Sequence, residues 1–484
     1  MWRYPNYTPL FETQEIKVRV VFGESVMEAL SNIGENNSTN NHAVRDDIIT
    51  IVPLTTTKVG NTGFRFVKIE AISHDVEISA VQAVSYFRDV EYKGSFESDD
   101  EKLNKIYSTA ARTVHLNMQD YLWDGIKRDR LVWIGDMHVE VSTIASVFGY
   151  NSVVNKSLDL IRDLTPATKW MNKIPSYSFW WLIIQYDWYM YTGDFEYISS
   201  QADYIFALTQ KIVGCVLGDG YDVFLDDTVI DLGVHFIDWE TKHLPEAPNG
   251  FYAVLTMALD AASSLCMLLG NRELSDICQI KSKLIKTYKF APVTNKQIGA
   301  LMALSGLADL DSVNRNILSK NETSGISAFM GYYTLLAKAR AGDISGALRV
   351  IREYWGAMLD FGATTFWESF DLEASRGACG IDRIVPEGMK DVHGDFGSYC
   401  YQNFRCSLCH GWASGPAPFV AKHILGVNPL EAGFKTALVK PQLGDLKYVH
   451  GTVPTPYGNI EITLERQGDK TNSVINAPDE IKTV

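Results

Sequence analysis

Residues 123–136 read WDGIKRDRLVWIGD, setting Asp124, Asp129 and Asp136 among Lys127, Arg128, Arg130 and two tryptophans. A buried charge needs a partner, so this density does not suit an ordinary core. It suits an ion-paired surface loop, or a pocket that grips a polar ring and performs acid/base chemistry on it. A second stretch, TTFWESFD at residues 364–371, puts Glu368 directly after Trp367 and favours the pocket. HFIDWETKH (residues 235–243) and SLCHGWASG (residues 407–415) again join a tryptophan to a carboxylate or a histidine. Two carboxylates facing each other across a sugar ring are the machinery of glycoside hydrolysis, one protonated and one ionised. Asp124, Asp129, Asp136 and Glu368 are the candidates. Spacing alone assigns no roles, because the partners lie far apart along the chain.

These loops need a scaffold. The chain's 484 residues exceed one ordinary core and predict two or three domains. Residues 1–93 read as β-rich, with alternating apolar runs at 16–23, 47–54, 63–72 and 76–87 and a polar loop at 31–42. The character changes at Ser98, which with Glu101 fits a capping box. Helical periodicity then dominates to about residue 425, clearest at 137–148, 152–164, 178–191, 251–269, 274–288, 326–341 and 344–359. Gly193-Asp194 and Gly342-Asp343 mark helix stops followed by starts. Paired helices in succession predict an (α/α) toroid whose connecting loops line a central funnel, with no fixed-period repeat to suggest a solenoid. The acid stretch falls between the helix ending near Asn117 and the one starting near Met137. Residues 426–484 return to β, with a turn at 453–458 and a strand at 458–466 that must pair with something earlier.

Composition narrows the partners. A net charge of −14 with no basic block argues against nucleic acid. Aromatics at 12% suit ring-shaped ligands and large cores equally. Cys406, Cys409 and His410 carry metal- or haem-ligand types, but no second ligand pair stands at a suitable spacing. A helix-packed thiol pair is expected there, with no metal and no cofactor. The N-terminus lacks a basic region followed by an apolar one, and no uninterrupted apolar run reaches the ~18 residues of a membrane span. The sequence as it stands is therefore expected to be cytoplasmic, or periplasmic or secreted if a leader has been removed, with no membrane partner. Nothing in it speaks to oligomeric state.

The motifs together resemble one family. DGIKRDRLVWIGD resembles the acidic loop of the bacterial α-L-rhamnosidases of glycoside hydrolase family 78, with Asp129 where that loop has Glu. GATTFWESFD (residues 362–371) and SLCHGWASGP (residues 407–416) resemble the family's later segments, in order. Residues 425–465 resemble its C-terminal β-domain, and GFRFVKIEA resembles the strand closing its preceding β-sandwich. The resemblance implies an (α/α)6 barrel at residues 94–425, flanked by β-sandwich-type domains at 1–93 and 426–484. It implies inverting hydrolysis of a terminal α-L-rhamnosyl bond in a glycan or glycoside. Asp129 would be the general acid, with Asp124 the other candidate, and Glu368 the general base. Asp124, Arg128 and Asp136 would contact sugar hydroxyls, and Trp133, Trp181, Trp239 and His410 would wall the pocket. The competing readings are a related toroid glycosidase with another sugar specificity and a non-hydrolytic carbohydrate-binding protein of the same fold.

Overall fold

The computed structural model describes residues 16–217, 222–223, 235–397 and 401–484, apart from residues 36, 39–41, 43, 53, 74 and 469. Strand β1 (Ile16–Gly23) is the centre of an antiparallel sheet between β2 (Arg45–Ile51) and β3 (Phe66–Ala71). Side chains alternate across a strand. Val18, Val20 and Phe22 therefore pack together, with Ile49, Ile51, Val59 and Val76 against them. Val21 points the other way, onto Val44 and onto Phe404 of the central body. A short helix α1 (Val26–Leu30), not foreseen from the sequence, follows β1 and is capped by the Ser25 hydroxyl, which accepts from the Glu28 N–H.

Two local expectations are corrected. Residues 76–87 form no strand: alternation is present, but no neighbouring strand among the described residues supplies a ladder. Ile78, Val81, Val84, Tyr86 and Phe87 stand exposed there. Ser98 does not cap the first long helix, α2 (Glu101–Asn117); the Asp100 carboxylate does, accepting from the Leu103 N–H at 3.0 Å. Ser98 instead ends strand β4 (Ser95–Ser98), its hydroxyl bonded to Asn104.

The helices of the central body fall into two kinds. All eleven residues of α3 (Met137–Val147) are buried. The next helix, α4 (Ser152–Leu164), buries only Val153, Val154, Ser157, Leu158 and Ile161, one face of an amphipathic surface helix. Helix α5 (Pro175–Thr192) is again apolar nearly all round, and the same contrast holds between Ala247–Leu268 and Arg272–Thr287. Helices buried on all sides thus alternate with helices buried on one. Gly193 closes α5 at φ 68°, the left-handed conformation a helix C-terminus favours, and Asp194 caps the helix that follows. Ala247–Leu268 is long and apolar enough to cross a membrane by length and composition, and it lies mostly buried among its neighbours.

The C-terminal strands Tyr448–Thr455, Gly458–Gln467 and Lys470–Asn476 form an antiparallel sheet whose far edge is β4. The expected partner from earlier in the chain is thus β4, which immediately precedes the helical body. The sequence turn at 453–458 is tighter than expected, since Val453–Thr455 belong to the strand. One hydrophobic core runs from Phe96 to Ile481 and joins helices and C-terminal sheet. Cys406 and Cys409 are buried free thiols on a loop.

Candidate active site

The acid stretch leaves α2 and enters α3 without a regular element of its own. Its shape comes from internal bonds. The Asp124 N–H donates to the Leu131 carbonyl at 3.1 Å, and the Leu131 N–H donates to Asp124 Oδ1 at 3.0 Å. That closes residues 124–131 into a lobe with Asp129 and Arg130 at its tip, both at φ 53°. Non-glycine residues there are uncommon and mark a conformation fixed by its surroundings. The lobe is stitched to the segment after residue 400: Gly125 bridges His410, and the Gly411 N–H donates to the Asp124 carbonyl at 2.9 Å.

Arg128 is the link between the acid stretch and Glu368. Its Nη2 donates to Glu368 Oε2, its Nε donates to the Arg405 carbonyl, and its Nη1 stands 3.6 Å from Asp129 Oδ2. Burial alone would lower the guanidinium's pKa, but the carboxylates of Glu368 and Asp129 raise it. Glu368 Oε2 also accepts from the Ser407 N–H at 2.8 Å. Asp129 keeps more exposure than any other acid of the cluster, 28% of its side chain. His42 Nε2 lies 3.1 Å from its Oδ1.

Behind this pair lies a nest of acids around one imidazole. His410 Nε2 stands 3.8 Å from each of Asp124 Oδ2, Asp136 Oδ1 and Glu368 Oε1. These are contacts beyond hydrogen-bond length, and they are not ion pairs, because burial and Arg128 hold the imidazole neutral, well below its usual pKa. Burial, reinforced by neighbouring acids, pushes the Asp124 and Asp136 carboxyls well above the usual range. Tyr177 donates to Asp136 Oδ2 at 3.4 Å. The imidazole packs on Trp412, with ring centres 4.2 Å apart, and Trp412 in turn stacks on Phe329 at 4.9 Å. The Trp412 indole N–H donates to the Glu368 carbonyl at 2.9 Å, fixing the base segment from below.

Of the expected wall residues, Trp133 and Trp239 are partly exposed, Trp133 edge-on to Tyr177 and Trp239 edge-on to Phe236 and Tyr401. Trp181 is a correction. Its indole is fully buried, donates to the Leu158 carbonyl of α4 and packs on Tyr204, so it belongs to the core between helices. On a helix apolar all round, the sequence carries no sign of which tryptophan faces the funnel. Two Arg128 nitrogens donate to protein acceptors and the third pairs with Asp129 at 3.6 Å, which makes it a link between carboxylates more than an open sugar contact.

Sequence reasoning missed Glu140, Asp238 and Glu240. Glu140 lies on α3 with no exposure and no hydrogen-bond partner on either oxygen; burial, then Asp136 and Asp124, raise its pKa well above the usual range. The one acid of α3, between Val139 and Val141, was the available signal. Asp238 accepts from the Trp239 N–H at 2.7 Å and from Tyr401 at 3.4 Å, and burial raises it to about 6. Burial and Asp238 push Glu240 up to about 8, beside Ser369, the neighbour of Glu368. Cys406, Cys409 and His410 do not gather as ligands; among the described residues the group with metal-ligand spacing is Glu24, Glu28 and His393.

Comparison with known proteins places this arrangement. Residues 91–212, which include the acid stretch, match the bacterial alpha-L-rhamnosidase 6 hairpin glycosidase domain, and residues 426–482 match the bacterial alpha-L-rhamnosidase C-terminal domain. The segment bearing Glu368 lies between the two. The class this resembles is that of the six-hairpin glycosidases. More particularly, both matched segments are those of bacterial α-L-rhamnosidases, which this chain resembles. It is 25% identical over 471 residues to an alpha-L-rhamnosidase of Alteromonas sp. (strain LOR), covering 86% of this chain and 47% of that protein. It superposes on a GH78 family rhamnosidase of Bacillus sp. GL1 with a TM-score of 0.68 at 20% identity, covering 97% of this chain and 50% of the other. For the Streptomyces avermitilis alpha-L-rhamnosidase complexed with L-rhamnose the TM-score is 0.73 at 16% identity, covering 97% and 46%. The chain thus spans about half the length of the curated relatives it matches.

Proposed function

We propose that this chain hydrolyses terminal α-L-rhamnosyl bonds of glycosides or glycans with inversion at the anomeric carbon. The proposed scaffold is an (α/α)6 barrel at residues 94–425 between β-domains at 1–93 and 426–484; the alternation of wholly buried and one-face helices supports it. Asp129 is the general acid and Glu368 the general base. The observation that carries this reading is the single Arg128 guanidinium meeting both carboxylates from different nitrogens. Asp129, at the lobe tip, can reach a leaving-group oxygen. Glu368, backed by the Ser407 N–H and resting on Trp412, is a fixed acceptor for a water proton. Asp124 and Asp136 present buried, protonated carboxyls to sugar hydroxyls, with Trp133 and Trp239 flanking the ring. The mechanism calls on no cofactor.

Asp124 as the acid is the second reading. It is favoured by the burial that keeps its carboxyl protonated. Against it, one of its oxygens already accepts from Leu131, and its side chain is almost closed to solvent.

The decisive experiment follows hydrolysis of an aryl α-L-rhamnoside by proton NMR. The first product is expected as the β-anomer of rhamnose, and Glu368→Gln should cut turnover at least about 100-fold. An α-anomer formed first would replace inversion with retention. Rhamnose binding without turnover by the wild-type chain would leave a carbohydrate-binding protein.

A further inference from the structure

The segment 404–408, which carries the Ser407 N–H to Glu368 and leads into His410, is held almost entirely by its main chain. The Phe404 carbonyl accepts from Lys127 Nζ and the Arg405 carbonyl from Arg128 Nε. The Cys406 carbonyl meets His393 Nε2 at 2.9 Å. A carbonyl only accepts, so Nε2 carries the proton and Nδ1 accepts from the Ser25 hydroxyl, also at 2.9 Å. The Leu408 N–H donates to Glu24 Oε2 at 2.7 Å. Glu24 and Ser25 follow β1, so the N-terminal sheet reaches straight into this segment.

The same carboxylates hold the acid lobe. Lys127 Nζ lies 2.9 Å from Glu28 Oε1 and 3.7 Å from Glu24 Oε2, and Glu28 Oε2 accepts from the Glu24 N–H at 2.8 Å. Lys127 directly precedes Arg128 and Asp129. Its own carbonyl accepts from Arg45 at 2.9 Å and from Thr62 at 3.0 Å, and the Ile126 carbonyl accepts from the Gly63 N–H at 2.7 Å. These donors all belong to the N-terminal sheet region. Glu24, Glu28, Lys127 and His393 are each at most 5% exposed. Glu24, Glu28 and His393 have the ligand types and closeness of a metal site, but the cation among them is Lys127. Burial pushes Glu24 up to about 7 and raises Glu28 as well, with Lys127 opposing both.

We propose that Glu24 and Lys127 are positioning residues of the hydrolytic site, through which the N-terminal sheet fixes the acid lobe and the base-supporting segment relative to one another. Glu24 is the shared point. It bonds the main chain next to Ser407 and pairs with the side chain next to Arg128. Loss of that point frees two segments that are 277 positions apart yet must hold Asp129 and Glu368 in register. The kinetic part of this inference rests on the hydrolase reading above; the structural part does not.

The test uses the full chain carrying Glu24→Leu, which removes the acceptor of the Leu408 N–H, and Glu24→Gln, which restores an acceptor without the charge. Glu24→Leu should lower kcat on an aryl α-L-rhamnoside at least about 10-fold with KM within about threefold, and Glu24→Gln should recover most of it. In ligand-free protein, amide hydrogen exchange of Glu24→Leu should quicken at least about 10-fold in residues 124–131 and 404–410 together, with Ala247–Leu268 unchanged. If Glu24→Leu does not fold, Lys127→Gln is read by the same measurements, with the same two segments expected to respond. A kcat within twofold of wild type overturns the proposal. So does exchange that quickens only at residues 24–28, or equally across Ala247–Leu268. A wild-type chain without turnover defeats the hydrolase reading, while the exchange pattern still decides the positioning role.

Discussion

Arg128 Nη2 donates to Glu368 Oε2 across 240 positions of sequence, and both side chains are almost closed to solvent. Breaking a buried charge pair from one side leaves the other charge without compensation. Arg128→Met should therefore cost about 3–5 kcal/mol of stability in denaturant unfolding. Arg128→Lys should recover little of it, because an ammonium cannot serve acceptors spread along a planar guanidinium. A loss under about 1 kcal/mol would mean that Glu368 does not depend on the arginine.

The two candidate acids separate by leaving group. A general acid matters most when the departing oxygen is basic. Asp129→Asn should lose most activity on alkyl rhamnosides and little on nitrophenyl rhamnosides. Asp124→Asn should lose activity on both alike, since Asp124 shapes the lobe through Leu131. The reverse pattern would move the acid to Asp124.

Gly411 has no room for a side chain. A β-carbon there would sit 1.5 Å from Glu140 Oε1, the end of a fully buried side chain. Gly411→Ala should destabilise the protein by roughly 1–3 kcal/mol or more. Adding Glu140→Ala should return a good part of that loss, measured as a double-mutant cycle in thermal or denaturant unfolding.

Glu140 also makes stability depend on pH. Its folded pKa lies above the unfolded value of about 4.3. Below that value the carboxyl is neutral in both states and folding pays no ionisation penalty. As pH rises toward the folded pKa, the unfolded chain ionises first and the folded state loses ground. Glu140→Gln removes this term, so its Tm relative to wild type should climb as pH rises above about 4.3. A difference flat with pH would place the titration elsewhere.

The helix cap yields a smaller prediction. Asp100 accepts from the Leu103 N–H and is paired with Arg352, which also binds Asp445. Asp100→Ala should cost about 1–2 kcal/mol, whereas Ser98→Ala should cost less. Equal losses would restore Ser98 as the cap.

The sequence by itself determined the order of the parts: a β-rich start, a long helical middle and a β end, with bounds such as Ile16–Gly23 and Ser152–Leu164 read directly from periodicity. It also marked the acid stretch, Glu368 and His410, because charged groups beside tryptophans break the apolar pattern of a core. Residues 76–87 showed the limit of that reading, since alternation sets the faces of a strand but does not provide its neighbour. Trp181 showed another, since a helix buried all round has no polar face to mark its orientation. What only the tertiary structure decided is which distant groups meet. Arg128 against Glu368, Glu140 against Gly411 and Glu24 against Leu408 are contacts made through packing, and local periodicity carries no information about them. WDGIKRDRLVWIGD was legible as a dense charged loop. That Arg128 meets Glu368 and Lys127 meets Glu28 came from the burial that forces each of those charges to find a partner.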